Sequence, residues 1–587
     1  MNPPGRNEVL IRNPERDSWF RFSGPGRVLS AADHDGVLPL LREVEQAVEA
    51  EGFAAAGFIA YEAAPAFDPA LGTHDPAGFP LAWFLLTRTF AEVEDAALPG
   101  NNGEGAPLCW TATVTEDEYR AAVRRIRSRI ADGDTYQVNY SYRMRSPYAG
   151  DPFALFRRMT RAQKTPYGAY IDAGRYVVCS ASPELFFSLN GRRLTSRPMK
   201  GTAPRGLTQE DDRERGDGLQ RSEKDRAENV MIVDMMRNDI GRVAGSGTVR
   251  VPELFALEKY PTVWQLTSSV EAETDAPLTE ILRALFPAAS ITGAPKPRTM
   301  EIIRELESTP RRIYTGAIGM LFPGRKAAFT VAIRTALVDR DTGMAEYGVG
   351  GGIVWNSTEE GEFVESRTKA LLVTEPAPEF SLLATLLWSP EEGYLYIDEH
   401  INRMSASARY FDFSFAAGSA RRQLDGLART LRPLPHKVRL LADREGLIRT
   451  EAEPWSPPAK DALPVVRLAR SAVLSSDRFL YHKTTHRRVY ERALLGSPGC
   501  EDVILWNERG ELTESTIANL LLEMDGIVWT PPVQCGLLPG VARARLLKEG
   551  KIREAVLTRP DLARSPRVFL VNSVRGVYEV RVSEGDG

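Results

Sequence analysis

Hydrophobic and polar positions along the chain repeat with two different periods. GRYVVCSASPELFFSL (174–189) packs β-branched and aromatic residues into short runs that predict strands. SEKDRAENVMIVDMMRNDIGRV (222–243) predicts a helix. Ser222 and Asp225 make a capping-box pattern at its start, and Ala227, Val230, Met231 and Met235 recur at helical spacing as its apolar stripe. Further on, WNERGELTE and LLLEMDGIVWT read as strand–turn–strand, with Asp525-Gly526 a strong hairpin turn. VARARLLKEG (541–550) predicts a helix stopped by Gly550. A seam falls at TEPAPEF (374–380). The helical pattern GEFVESRTKALLV ends before it, the strand-like SLLATLLW begins after it, and Pro376 and Pro378 bar a helix from crossing. Two units are therefore expected, at about 1–375 and 380–587, both α+β. Residues 93–107, rich in Gly, Pro and Asn, predict a surface loop.

Length agrees with this division, since 587 residues exceed what one hydrophobic core usually organises. The 74 Lys+Arg and 78 Asp+Glu give a formal net charge of −4, which offers no footprint for nucleic acid. No run of about 18 apolar residues predicts a membrane span. The charged start MNPPGRNEVLIRNPERD lacks a signal peptide's apolar stretch. The four cysteines, Cys109, Cys179, Cys500 and Cys535, are too far apart for a zinc-type motif. A cytoplasmic location with reduced thiols is the expectation.

Taken singly, the charged residues of the first unit are ordinary. Lys200 lies in the turn SRPMKGTAPRG, Glu228 can pair with Lys224 one helical turn away, and Glu362, Glu365 and Lys369 share a helix face. Arg334, on the apolar strand pattern FTVAIRTAL, is less ordinary, because a buried guanidinium needs a carboxylate. YGVGGGIV (347–354) sets four glycines in five residues after a strand, where backbone N–H groups can hold an anion.

Together, SPELFF, RPMKGT, DRAENVMIVDMMRNDIGRV, FPAASITGAPKPRTMEII, YTGAIG, VAIRT, GVGGGIV and GEFVESRTKA resemble the chorismate-binding enzymes over residues 115–372. The family includes anthranilate, isochorismate and salicylate synthases and aminodeoxychorismate synthase component I. The resemblance implies a large α/β domain with a Mg²⁺-dependent site. Residues 1–110 correspond to the family's variable region. Anthranilate and isochorismate synthases usually carry Ala in the turn that reads RPMKGT here, and a lysine there marks the aminodeoxychorismate synthases. By resemblance, Lys200 is a nucleophile that occupies C2 of chorismate so that ammonia arrives on C4. Partial desolvation beside a divalent cation would lower the pKa of such an amine. Glu184 corresponds to the general acid for the departing C4 hydroxyl. Glu228 and Glu365 correspond to the Mg²⁺ carboxylates, with Glu362 helping through water. Tyr314 and Arg334 correspond to the pair holding the enolpyruvyl carboxylate. Thr292, Lys369 and the Gly348, Gly350 and Gly352 amides belong to the substrate site. Gln265 departs from the pattern, standing where many members have His.

In the second unit DEHINRM, HKTTHRRVY, LTESTIANLLL, GLLPGVAR and FLVNSVRGVYEV resemble the fold-type IV pyridoxal-phosphate enzymes over residues 380–582. These include branched-chain and D-amino acid aminotransferases and aminodeoxychorismate lyases. The resemblance implies pyridoxal 5′-phosphate carried by Lys483, Glu514 at its pyridine nitrogen and Arg403 at its phosphate. The Val541 and Ala542 amides at a helix N-terminus, and Ser573, supply further anchors. Ala542 stands where relatives commonly have Thr, and Leu383-Ala384-Thr385 departs from the usual entry strand.

Joined, the two resemblances imply a synthase making 4-amino-4-deoxychorismate fused to a lyase that releases pyruvate and 4-aminobenzoate for folate. The alternative is a chorismate-using synthase fused to a true branched-chain or D-amino acid-type aminotransferase. No cysteine sits in a Gly-x-Cys-x-Gly nucleophile context. Ammonia is therefore expected from solution or from a separate glutamine amidotransferase subunit, with no nucleic-acid or membrane partner. The resemblance leaves room for a homodimer through the second unit.

Overall fold

A computed structural model describes residues 4–99, 108–163, 166–375, 378–457 and 463–583. The chain divides into two compact units, one of residues 1–204 with 216–377 and one of 205–215 with 378–587.

The first unit is built on two ten-stranded antiparallel sheets. Val9, Phe22, Ile171, Val178 and Leu337 of one sheet and Phe58, Trp83, Leu85, Ile318 and Met320 of the other share one buried apolar layer, so the sheets face each other. Helices His34–Glu51, Glu223–Gly241 and Leu278–Leu285 pack on the outer face of one sheet. Glu116–Ala131, Pro152–Ala162 and Lys296–Leu306 cover the other. Four layers result, each strand alternating between neighbours. The predicted strands at 174–189 are Tyr176–Ser182 and Leu185–Asn190.

Three local expectations need correction. Helix Glu223–Gly241 is capped by Ser222 as expected, but it buries Asn229, Ile232, Val233, Met236 and Ile240 rather than the predicted stripe; Val230 is exposed. Apolar residues occupy more than one side of this helix, so two phases were open to it. Asn229 selects one by donating to the Lys200 carbonyl (3.0 Å) and accepting from Ser268 (2.5 Å). Arg334 is not on a strand: it stands with φ 50° between strands Lys326–Val331 and Thr335–Asp339. The glycines at 348–352 lie inside strand Met344–Ile353, not after it. Of the 93–107 loop, residues 93–94 end a strand, 95–97 form a 3₁₀ turn and 100–107 lie outside the described residues, as do 376–377 of the seam.

A buried charge cluster locks the middle of the first unit. Glu307 accepts from Arg311 (2.6 Å), from Arg143 (3.4 Å) and from the Ser141 hydroxyl (2.8 Å), with all three ionised side chains at most 2% exposed. Burial alone would raise the Glu307 pKa, but Arg311 and Arg143 hold it below the ordinary carboxylate value.

The second unit holds two sheets. A four-stranded antiparallel sheet, ordered Gly393–Tyr394, Leu382–Ser389, His436–Ala442, Ile448–Pro454, packs against helices Ile397–Phe411 and Ala417–Ala428. An eight-stranded mixed sheet is drawn round by an extra pairing between Leu512–Ser515 and Asn519–Met524. Its hairpin turns at Asp525 and Gly526 as predicted, both with positive φ (51° and 72°). Helix Val541–Lys548 ends before Gly550, whose φ of 68° suits glycine alone. Residues 205–215 pack here because Arg205 pairs with Asp212 (2.6 Å) and donates to the Tyr410 carbonyl, while Tyr410 Oη donates to the Gly206 carbonyl. The four cysteines are free thiols, and no described helix is long and apolar enough to cross a membrane.

Glu307→Gln leaves two buried guanidinium groups without their anion. It should destabilise the first unit by about 3–5 kcal/mol, read as an earlier transition in urea unfolding followed by a probe in that unit. An unchanged transition would mean that the cluster is solvated.

Candidate functional sites

The site of the first unit begins with a strand that loses one neighbour. Met344–Ile353 pairs along its whole length with Gln137–Pro147 on one side. On the other side its pairing with Thr335–Asp339 stops at Tyr347, opposite Ala336. Past that point the chain turns away through Arg334, so the backbone from Gly348 onward borders a cavity of about 260 Å³. Glycine is required there for close approach. A Cβ on Gly348 would come within 2.2 Å of the Tyr314 ring, and one on Gly352 within 2.6 Å of the Lys200 Nζ.

Lys200, Glu184, Glu228, Tyr314, Arg334, Gly348, Gly350, Gly352, Glu362, Glu365 and Lys369 all border this cavity. Lys200 Nζ faces Glu228 at 3.8 Å. Glu184 is buried and accepts from Ser290 Oγ at 2.6 Å; burial pushes its carboxyl up to about 7. Lys369 pairs with Glu365 at 2.7 Å and also donates to the Gly350 carbonyl. The Lys369 charge holds Glu365 below the usual carboxylate value, while burial, with Glu365 adding to it, raises Glu362. Arg334 has no carboxylate partner among the described residues. It lies 5.9 Å from the Tyr260 ring, and burial lowers its pKa.

Thr292 is not brought in by its side chain: its hydroxyl is fully buried and donates to the Ala288 carbonyl, and Ser290 and Ile291 border the cavity instead. Gln265 does border it, accepting from Thr202 Oγ1 at 3.1 Å. Two groups went unread in the sequence. Ser290 sits within the quoted FPAASITGAPKP motif. Gln137 is 1% exposed, neither polar atom of its amide has a partner among the described residues, and its Nε2 lies 3.1 Å from where a Gly352 Cβ would stand. Nothing in GDTYQVNY marks it, because burial and orphaning are properties of the fold.

Three carboxylates on one cavity suit a divalent cation that takes water and substrate oxygen besides a few protein ligands. Among the described residues no three acidic or imidazole groups converge as a closed metal cage would need.

The second unit's cavity is larger, about 740 Å³, and brings together Arg403, Lys483, Glu514, Val541, Ala542 and Ser573. The Lys483 carbonyl accepts from the Leu383 amide (2.9 Å), which fixes the segment against strand Leu382–Ser389. Burial, reinforced by Arg403 and Arg487, brings the Lys483 amine down to about 7. Burial likewise lifts Glu514 to about 7, although it accepts from Tyr490 Oη (2.8 Å) and Asn519 Nδ2 (3.2 Å). Arg403 is lowered to about 10 by burial; among the described residues its buried Nε has no partner, and its Nη2 lies 3.4 Å from His400 Nδ1. A guanidinium short of partners on the same cavity as the first residues of helix Val541–Lys548 is chemistry that fits a phosphate. Tyr490 and Asn519, which orient Glu514, were missed in the sequence, although Tyr490 lies in the quoted HKTTHRRVY.

Comparison with known proteins agrees with both halves. Residues 6–375 match the chorismate binding enzyme family, and residues 381–582 match amino-transferase class IV. Aminodeoxychorismate synthase component 1 of Salmonella typhimurium is 43% identical over 269 residues, covering 46% of this chain and 59% of the relative. Anthranilate synthase component 1 of Thermus thermophilus is 42% identical over 278 residues, covering 46% of this chain and 60% of the relative. The chain thus spans about three-fifths of the length of these curated relatives. The crystal structure of anthranilate synthase component I from Streptococcus pneumoniae superposes with a TM-score of 0.54 at 25% identity, covering 64% of this chain and 93% of that one. By the match of its first 375 residues this chain belongs to the chorismate-binding enzyme family, and it carries a class IV aminotransferase domain behind that match.

Proposed function

We propose that the first unit converts chorismate and ammonia to 4-amino-4-deoxychorismate, and that the second eliminates pyruvate from that product to leave 4-aminobenzoate. Identity alone does not choose between synthases, since an aminodeoxychorismate synthase and an anthranilate synthase score within one per cent of each other. The choice is carried by one observation, a lysine amine in the cavity, with Lys200 Nζ seated against Gly352 and Glu228.

Addition of the Lys200 amine at C2 shifts the ring double bonds and breaks the C4–O bond. The leaving oxygen takes a proton from Glu184, which Ser290 holds in place. Ammonia then adds at C4 as the C2–N bond breaks, restoring the lysine. Arg334 and Tyr314 border the cavity where an enolpyruvyl carboxylate would be held. Mg²⁺, held by Glu228 and Glu365 with Glu362 through water, would draw charge from the ring carboxylate and make C2 more electrophilic.

In the second unit, pyridoxal 5′-phosphate would supply an electron sink, with Lys483 as its attachment point. Glu514 would keep a proton at the pyridine nitrogen, braced by Tyr490 and Asn519. Arg403, Ser573 and the Val541 and Ala542 amides would take the phosphate. An amine brought to about 7 by burial can both accept and return the C4 proton near neutral pH. Ammonia would come from solution or from a separate glutamine amidotransferase. A homodimer through the second unit and a cytoplasmic site of action remain part of this reading.

Three outcomes follow. Lys200→Ala should abolish 4-amino-4-deoxychorismate formation from chorismate, Mg²⁺ and ammonium; an unaffected rate would remove covalent catalysis by this amine. Glu184 acts only when protonated, so at constant free ammonia the first step should slow as pH rises through about 7, and Glu184→Gln should cost about 10²–10⁴-fold. A flat profile in that range would exclude it as the acid. Incubation of the full chain with chorismate, ammonium and Mg²⁺ should yield 4-aminobenzoate and pyruvate only when pyridoxal phosphate is supplied. Glutamate formed from 2-oxoglutarate and an amino acid, with no 4-aminobenzoate, would instead identify an aminotransferase.

A further inference from the structure

The cavity of the second unit carries more positive charge than the proposed cofactor uses. Six cationic side chains border it, Arg403, Lys437, Arg439, Lys483, Arg487 and Arg575, against the three carboxylates Glu451, Glu453 and Glu514. Two of the cations are already matched across neighbouring strands, Lys437 with Glu453 and Arg439 with Glu451, each at 2.7 Å. Arg403 and Lys483 belong to the cofactor end. Arg487 and Arg575 are left over, and neither has a carboxylate partner among the described residues. Each is nevertheless held in place. Arg487 donates to the Thr516 carbonyl and lies 4.4 Å from the centre of the Tyr490 ring, and Arg575 lies 5.3 Å from that of Tyr578. Arg487 is half-buried one short step along the chain from Lys483, whereas Arg575 is exposed at the turn that follows Ser573.

We propose that Arg487 and Arg575 form a two-point carboxylate clamp that restricts the second site to dicarboxylate amines. Arg487 takes the carboxylate nearer the reacting carbon and Arg575 the outer one. This rests on the reading of the second unit as the consumer of the first unit's product, a ring that bears one carboxylate directly and another on its enolpyruvyl ether. A guanidinium pre-set by an aromatic face and a carbonyl loses little freedom on gripping a carboxylate, and its planar fork discriminates by geometry as well as charge. A monoacid fills only one of the two guanidiniums and forgoes the second charge-assisted pair.

The test uses the full chain loaded with pyridoxal phosphate, and the cofactor's visible absorption reports binding at this site alone. The probe is meta-(carboxyvinyloxy)benzoate, an aromatic enolpyruvyl ether with two carboxylates and no amine; its analogue without the ring carboxylate is the control. Wild type should bind the diacid at least about tenfold more tightly than the monoacid. Arg487→Gln and Arg575→Gln should each weaken diacid binding by about ten- to a hundredfold while still loading pyridoxal phosphate, and Arg487→Lys should recover part of the loss. Equal binding of diacid and monoacid, or full diacid affinity in both Gln variants, would overturn the clamp. If wild type released pyruvate and 4-aminobenzoate while the variants bound normally, the clamp would fall and the lyase reading would stand. If the diacid preference held but no pyruvate appeared, the clamp would stand and the lyase reading would fall.

Discussion

The first unit's site depends on an antiparallel strand that keeps one neighbour and loses the other. Ladder pairing normally consumes both edges of a central strand. Here Met344–Ile353 stays bonded to Gln137–Pro147 throughout, yet its second partner leaves at Tyr347 because the chain takes a left-handed turn at Arg334. Glycine is then needed along the opened edge at 348 and 350, where a side chain would collide with the Tyr314 ring or the Tyr140 carbonyl, and at 352 a side chain would displace the Lys200 amine. Exposing backbone amides and admitting two functional side chains are thus one structural event. The buried Glu307–Arg311–Arg143 cluster keeps that event local: Arg311 also donates to the Asn139 carbonyl, on the strand that the glycine strand retains.

The second unit solves a different electrostatic problem. Arg403 and Lys483 share a largely desolvated cavity in which neither forms an ion pair among the described residues. Leaving buried charge uncompensated is costly, and the Lys483 amine yields by shedding its proton near neutrality, while a guanidinium cannot. Arg403 therefore stays charged and short of partners, at a standing cost that an anionic ligand would offset. Glu514 is pushed the opposite way by the same burial, and Tyr490 and Asn519 compensate in part. Lys483 and Glu514 thus lie close to their proton-exchange range because both are buried, while Arg403 keeps its charge.

Much of this was legible in the sequence, and what was missed has a common cause. The Asp525-Gly526 turn and the stop at Gly550 rest on backbone conformations that few residues adopt, so local sequence decides them. The order of motifs picked out charged groups that the structure brings to two cavities, since each is tied to a short, distinctive string. The stripe of helix Glu223–Gly241 was misphased because the helix is apolar on more than one side, and a buried Asn229, reaching Lys200 and Ser268, decides which side faces in. Arg334 looked like a strand residue because its neighbours are apolar, while its positive φ comes from where the sheet ends. Gln137 and the second role of Ser290 depend on non-local contacts that no spacing encodes.

The two lysines illustrate why residue-level geometry outranks overall similarity here. Both stand among charged neighbours, but in opposite settings. Lys200 faces the Glu228 carboxylate at 3.8 Å in a cavity with four further acids, Glu184, Asp225, Glu362 and Glu365. Lys483 feels the Arg403 and Arg487 guanidiniums, and burial raises the pKa of the acid nearest it in charge effect, Glu514, to about 7. The first setting draws a cation or a ring that carries one with it; the second repels protons and draws anions. Under the proposed function, a ring bearing two carboxylates would enter the acidic cavity with a counter-cation and the basic cavity on its own charge. That reciprocal polarity is what the proposed pair of reactions needs: a dicarboxylate product of the first site would, by its charge, suit the second.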